Sequence, residues 1–168
     1  MAAILVLVFV TLQRLAELWL ARRNTAALRA RGAVEVAPGH YPLIVMVHAA
    51  WLAALWLAAP WQPLHLGWLA LFIVLQLLRV WVLATLGRRW TTRILILPGE
   101  PLIEGGPYRY LSHPNYAVVV GEIAVLPLAF GLPWHALVFS LLNAGVLWIR
   151  LRAENGALAG LRPNVRKP

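Results

Sequence analysis

Between two apolar runs lies Glu104-Gly-Gly-Pro-Tyr-Arg-Tyr-Leu-Ser-His-Pro-Asn-Tyr116, a dense set of groups able to bind or polarise a ligand. Gly105, Gly106 and Pro107 predict a turn, because Gly tolerates φ > 0 and Pro fixes φ. Pro114 suits the first turn of a helix, where its missing N–H is no loss. His113 then sits at a helix N-terminus, beside orphan N–H groups that favour an anionic ligand. Tyr108, Arg109, Tyr110 and Tyr116 cluster around it. A second set follows: Asn143, Leu147, Arg150 and Glu154 share one helical face, and Asn155 comes directly after. The plain alternative for this face is an amphipathic helix end with Arg150 bonded to Glu154. If both sets lie on one side of a membrane, they converge on one pocket.

The elements that must position these groups are membrane spans. Of the 168 residues, 61% are hydrophobic and only 12% charged, and mean hydropathy is +0.73; no soluble domain has this balance. Apolar runs predict an all-α bundle of five transmembrane helices, at about 2–21, 42–60, 64–86, 116–131 and 134–152. The fourth is short for a full crossing. The start, MAAILVLVFV, lacks a basic n-region and reads as a retained span. With no Cys, the chain has no disulfide framework and no thiolate chemistry. The whole chain, 1–168, reads as one membrane domain.

Charge sets the expected topology. Thirteen of the fifteen basic residues fall in alternate connections: Arg22, Arg23, Arg29 and Arg31; Arg88, Arg89, Arg93 and Arg109; and the C-terminal Arg150, Arg152, Arg162, Arg166 and Lys167. The connection 61–63 and the Gly131-Leu-Pro133 hinge carry none. The positive-inside rule places the N-terminus outside, both long connections inside and the C-terminus in the cytoplasm. The net charge of +9 is thereby explained by loop asymmetry rather than by nucleic acid. The tail from Gly160 to Pro168 is expected to fray and to favour anionic lipid headgroups. Most of the Trp residues (51, 56, 61, 68, 90, 134 and 148) are expected to form an interfacial belt.

Several polar groups stand inside spans, where hydrocarbon makes them costly. Arg14 and Glu17, beside Gln13, share a face of the first span and read as an ion pair that fixes helix packing. Gln76 and Arg79 sit at i, i+3 in the third; Arg79 either snorkels to the interface or faces a ligand carboxylate. Glu122 must be protonated, paired or turned to a polar cavity. His40, His48 and His113 have no recognisable metal spacing and few acidic partners, which argues against a metal.

Gly-Pro-Tyr-Arg-Tyr-Leu-Ser-His-Pro-Asn-Tyr (106–116), joined to Arg-Leu-Arg-Ala-Glu-Asn (150–155), resembles the isoprenylcysteine carboxyl methyltransferase family of integral-membrane enzymes. Gln13-Arg14…Glu17, Arg22-Arg23-Asn24, Gly39-His40-Tyr41-Pro42 and Arg89-Trp90-Thr91-Thr92-Arg93 resemble a bacterial subgroup, some of whose members methylate alkylpyrones or phenolic lipids. The resemblance implies S-adenosyl-L-methionine as methyl donor, leaving as S-adenosyl-L-homocysteine, bound at the cytoplasmic end by about 88–116 plus 143–160. It assigns Gly106, Pro107, Tyr108, Arg109, His113, Tyr116, Glu154 and Asn155 to cofactor binding. Arg150 and Glu154 become the catalytic pair: Arg150 holds a substrate anion, and Glu154 binds the cofactor's cationic end or acts as base. Where the isoprenylcysteine enzymes usually carry two adjacent Glu, this chain has Glu154-Asn155, which tilts the acceptor toward an acidic hydroxyl over a prenylcysteine carboxylate.

The expected protein is therefore an O-methyltransferase with a lipid substrate that enters from the bilayer, multi-pass in a bacterial cytoplasmic membrane. Arg-rich, Lys-poor usage suits a GC-rich bacterium. The competing reading is a small transporter or lipid-binding module, whose ligand groups would lie at the midplane rather than at one face.

Overall fold

A computed structural model describes residues 1–101 and 103–161. Five helices form the bundle: α1 (Ala2–Ala30), α2 (Tyr41–Ala58), α3 (Leu66–Leu86), α4 (Pro114–Ala129) and α5 (Pro133–Leu161). The only strands among the described residues are the two-residue β1 (Val34–Glu35) and β2 (Leu95–Ile96), paired antiparallel with Val34 opposite Ile96. The all-α expectation holds. Four helices are long and apolar enough to cross a membrane, and α4, at 16 residues, is the shorter fifth.

Two helices outrun their predicted spans. α1 continues past 21 to Ala30, because Arg22–Ala30 contains no Gly or Pro and Ala, Leu and Arg are all good helix formers. α5 continues past 152 to Leu161 although Gly156 and Gly160 lie in the extension; it contains no Pro, and Ala, Leu and Glu favour the helix. Basic connections therefore begin as helical extensions beyond the apolar core. The expected tail cations Arg162, Arg166 and Lys167 lie outside the described residues.

Burial is inverted relative to a soluble bundle. Leu5, Phe9, Leu71, Val74, Leu77 and Leu141 are exposed on the outer faces, while Glu17, Asn24, Arg79, Glu122 and Asn143 are buried inside. Apolar side chains cost nothing against hydrocarbon, whereas polar ones must find partners within the protein. An apolar cluster of Leu7, Val10, Trp51, Leu55, Phe72 and Leu126 fills the half of the bundle near the N-terminus. Trp51 and Trp90 are almost fully buried, so they do not belong to the interfacial belt; Trp61 and Trp134 are exposed at span ends and do.

Below the cluster, one polar layer joins α1, α3 and α4. Arg79 Nε donates to Glu122 Oε1 at 2.7 Å and its Nη1 to Glu17 Oε2 at 3.1 Å. Arg14 donates to Glu17 at 2.9 Å and also pairs with Glu122. Gln76 donates to Glu122 and Gln13 to Gln76, each at 2.7 Å. Two cations and two carboxylates close a neutral set, with Arg79 and Glu122 buried. Arg79 is thus buried rather than snorkelled, and Glu122 and Glu17 take its hydrogen bonds. α3 packs closely on α4 at Gly121, where a Cβ would lie 2.8 Å from a Leu75 methyl carbon.

The connections rich in Arg gather at one end. β1 binds β2, Val36 N–H donates to the Ile94 carbonyl at 2.9 Å, and Asn24 of α1 donates to the Trp90 carbonyl at 2.8 Å. At the other end His65 N–H donates to the Ala129 carbonyl at 2.8 Å, tying the α2–α3 connection to the α4–α5 hinge.

Candidate active site

The segment before α4 takes the turn that its Gly and Pro residues predict. Residues Gly106–Arg109 form a 3-10 turn, and Pro114 occupies the first turn of α4 with His113 at the N-cap. Gly106 has φ +57°, and a Cβ there would collide with the Thr85 side chain on α3. The turn is thus pressed against α3 in a conformation that only Gly adopts at no cost. Pro107 is buried behind it, and the His113 ring stacks on Tyr116, centroids 5.0 Å apart and 11° from parallel.

Tyr116 is where the two distant sequence sets meet. Arg150 Nε donates to the Tyr116 hydroxyl at 2.8 Å, and that hydroxyl donates to Glu154. Arg150 Nη1 donates to the Thr92 carbonyl at 2.7 Å, which fixes the guanidinium from a second side. Arg150 and Glu154 are therefore joined through Tyr116, not bonded directly as the amphipathic-end alternative supposes. The phenol is both acceptor and donor, so both charges keep a partner and a free edge.

Two cavities flank this triad. The first, about 450 Å³, lies between the 89–101 loop, the 108–116 segment and the end of α5, with His113, Tyr108, Ser112 and Glu154 in its wall. The second, about 320 Å³ and mostly apolar, lies among α1, α2 and α5. Trp90, Thr91, Asn115, Tyr116 and Arg150 line both. At this shared wall Asn115 Oδ1 and Trp90 Nε1 are buried with no hydrogen-bond partner among the described residues. Buried polar atoms rarely stay unpaired, so both suit a polar ligand.

Of the predicted site residues, Tyr108, His113, Tyr116, Arg150 and Glu154 reach the first cavity. Gly106 and Pro107 support the turn behind it. Arg109 and Asn155 are exposed and do not line it. Burial and the nearby Glu154 push the Tyr108 phenol up to about 12, so it stays protonated at neutral pH. Among the described residues no group of three His, Asp or Glu side chains could hold a metal.

The cavity roof falls within the 88–116 region that the resemblance assigns to the cofactor, but its pairings were not legible in sequence. Arg89 bonds Glu100 and donates to the Pro101 carbonyl at 2.7 Å, and Arg31 also pairs with Glu100. The Arg89 hydrogen bond, helped by Arg31, holds the Glu100 carboxyl below its usual range. Glu35 of β1 pairs with Arg93 and Arg29; partial burial would raise its pKa, but the two guanidiniums win and hold it low. Arg93 also lies over the Tyr41 ring, 4.1 Å from its centroid. The sequence shows Arg89 and Arg93 as part of the resembling motif and Arg29 and Arg31 as basic connection, but it does not show which carboxylate each one meets.

Residues 68–160, more than half of the chain, match the isoprenylcysteine carboxyl methyltransferase (ICMT) family. The chain belongs to that family. Its matched region contains α4, α5 as far as residue 160, the 104–116 turn and the whole Tyr116–Arg150–Glu154 triad. Membership implies a membrane methyltransferase, and the long apolar helices make the protein multi-pass. It is 38% identical to the uncharacterized protein YpbQ of Bacillus subtilis over 159 residues, covering 92% of this chain and 95% of the relative. An uncharacterized protein of Haemophilus influenzae is 28% identical over 147 residues, covering 84% and 86%. No solved structure gives a significant match.

Proposed function

We propose that this ICMT-family protein transfers a methyl group from S-adenosylmethionine to an acidic oxygen of a lipid-tailed acceptor, at the cytoplasmic face of a bacterial inner membrane. The observation that carries this reading is the shared wall: one polar cavity and one apolar cavity meet at Tyr116 and Arg150. A polar donor and a greasy acceptor need two such chambers, joined at the reacting atoms.

The residues of the first cavity fit the cofactor. Glu154 offers a carboxylate to its cationic amino end, the His113–Tyr116 stack offers an aromatic face, and Asn115 Oδ1 and Trp90 Nε1 await partners. S-adenosylmethionine, when bound, supplies a methyl group on a positively charged sulfur, open to in-line displacement. The chain's own contribution is alignment and dryness. Arg150, fixed by the Tyr116 hydroxyl and the Thr92 carbonyl, orients the acceptor oxygen and favours its ionised form. A carboxylate acceptor needs no base; a phenol or hydroxypyrone passes its proton through the Tyr116 hydroxyl to Glu154 where that carboxylate serves as base rather than as partner of the cofactor's amino end. The Arg-rich end faces the cytoplasm under the positive-inside rule, which puts the first cavity within reach of a water-soluble cofactor.

Calorimetric titration with S-adenosylhomocysteine, on wild type and on His113→Ala and Glu154→Ala, tests this directly. Saturable binding weakened by both changes is expected. A folded wild type that does not bind would sink the reading and leave a lipid-binding module.

A further inference from the structure

The inner cavity is apolar along most of its wall but not at its deep end. Arg14 and Glu17 of α1, His48 of α2, Arg79 of α3 and Asn143 of α5 line it there. Arg14 spends its terminal nitrogens on Glu17 and Glu122, yet its Nε is buried with no partner among the described residues. The Trp51 Nε1, on the same cavity, is also buried and unpartnered. His48 Nδ1 bonds the Ile44 carbonyl at 2.8 Å. A carbonyl can only accept, so that nitrogen carries the proton and Nε2 is left as an acceptor. Asn143, buried, offers both an acceptor and a donor.

This layer stands at a fixed height above the reaction centre. Asn143 precedes Arg150 by seven residues on α5, His48 follows Tyr41, whose hydroxyl accepts from the Thr92 hydroxyl, by seven on α2, and Glu122 follows Tyr116 by six on α4. At about 1.5 Å per residue, the three helices agree on a separation of about 10 Å. A plain hydrocarbon tail crossing this layer would leave its donors and its acceptor unsatisfied, at a cost that selects against such a ligand.

We propose that the lipid acceptor carries a hydroxyl on its chain, about 10 Å from the atom to be methylated, and that Arg14, His48 and Asn143 bind it. A hydroxyl is the small group that both accepts, from Arg14 Nε, and donates, to His48 Nε2. The proposal rests on the methyl-transfer reading above for its view of what fills the cavity. It makes the inner chamber a selector for oxygenated chains.

The test uses detergent-solubilised full-length protein, titrated calorimetrically with and without S-adenosylhomocysteine. Three probes are compared: a long-chain alkylphenol, the same phenol with a chain hydroxyl about 10 Å from the phenolic oxygen, and an isomer with that hydroxyl half as far along. The 10 Å hydroxyl should tighten binding about tenfold over the plain chain, as for a hydrogen bond to a charged donor. The isomer should gain little. His48→Phe and Asn143→Leu should each remove most of the preference while S-adenosylhomocysteine binds as to wild type; neither touches the ion pairs of Arg14. If the plain phenol binds as tightly, if the isomer is preferred, or if no probe binds, the layer does not select a hydroxyl at this height and the proposal falls. Loss of S-adenosylhomocysteine binding by wild type, with the hydroxyl preference intact, would remove the methyl-transfer reading alone.

Discussion

Tyr116 receives one hydrogen bond and gives another, and its ring stacks on His113. Replacing it by Phe keeps the stack and removes only the relay. Arg150 and Glu154 would then be free to pair directly, drawing the carboxylate away from the cavity. Tyr116→Phe should therefore weaken S-adenosylhomocysteine about tenfold, the worth of one charge-assisted bond, with little change in thermal stability. Calorimetry beside thermal unfolding separates the two; equal affinity would mean the hydroxyl does not organise Glu154. Gly106 tests the turn rather than the relay. Gly106→Ala must place a Cβ at φ +57° and against Thr85. The left-handed backbone costs about 1–2 kcal/mol, and the collision adds to it. Adding Thr85→Ala should recover the steric part only. If the double variant unfolds like wild type, the backbone conformation was never the constraint.

At the scale of elements, the spans and their inward polar residues follow from composition, because a charge in hydrocarbon has few options. The pairing of those charges does not follow. That Glu122 meets Arg79 and Arg14 depends on α4 packing beside α3 and α1, which helical periodicity within one segment cannot report. The strand pair was equally hidden, since two residues have no period; it is held by Glu35, clamped between Arg93 and Arg29. The candidate site divides along the same line. His113, Tyr116, Arg150 and Glu154 were readable from residue type and helical spacing, whereas the Thr92 carbonyl is a backbone atom in a loop and leaves no mark in sequence. The Glu35 clamp carries a pH prediction. Its folded pKa is depressed, so its stabilisation is present above the ordinary carboxylate value and is lost as pH falls through the folded one. The β1–β2 latch should hold at neutral pH and loosen only as pH falls below the ordinary carboxylate range. The chain has no Cys, so Val34→Cys and Ile96→Cys can carry spin labels without background. The interlabel distance should be narrow at neutral pH and broad in acid, and Glu35→Gln should broaden it at every pH. A distribution that stays narrow through acid would show that the backbone pairing needs no clamp.

For the whole molecule, the polar layer decides how the bundle holds together, because an apolar exterior in hydrocarbon supplies no hydrophobic drive between helices. Glu122→Leu would leave Arg79 buried with only Glu17 to balance two guanidiniums. Removing one partner of a buried ion set costs about 3–5 kcal/mol, far more than the pairs contribute net, because desolvated charge is left uncompensated. The four-fold variant Arg14→Met, Glu17→Leu, Arg79→Met, Glu122→Leu removes every charge of the layer at once and keeps the Gln13–Gln76 hydrogen bond. It should unfold within about 1–2 kcal/mol of wild type despite carrying four substitutions. Reversible unfolding in mixed micelles measures both. If Glu122→Leu costs less than about 1 kcal/mol, water reaches the layer and the helices are held by packing alone. If the four-fold variant is stable but no longer prefers a chain hydroxyl, the charges serve ligand selection more than they serve the fold, which is why a membrane bundle would keep four of them where four leucines would pack.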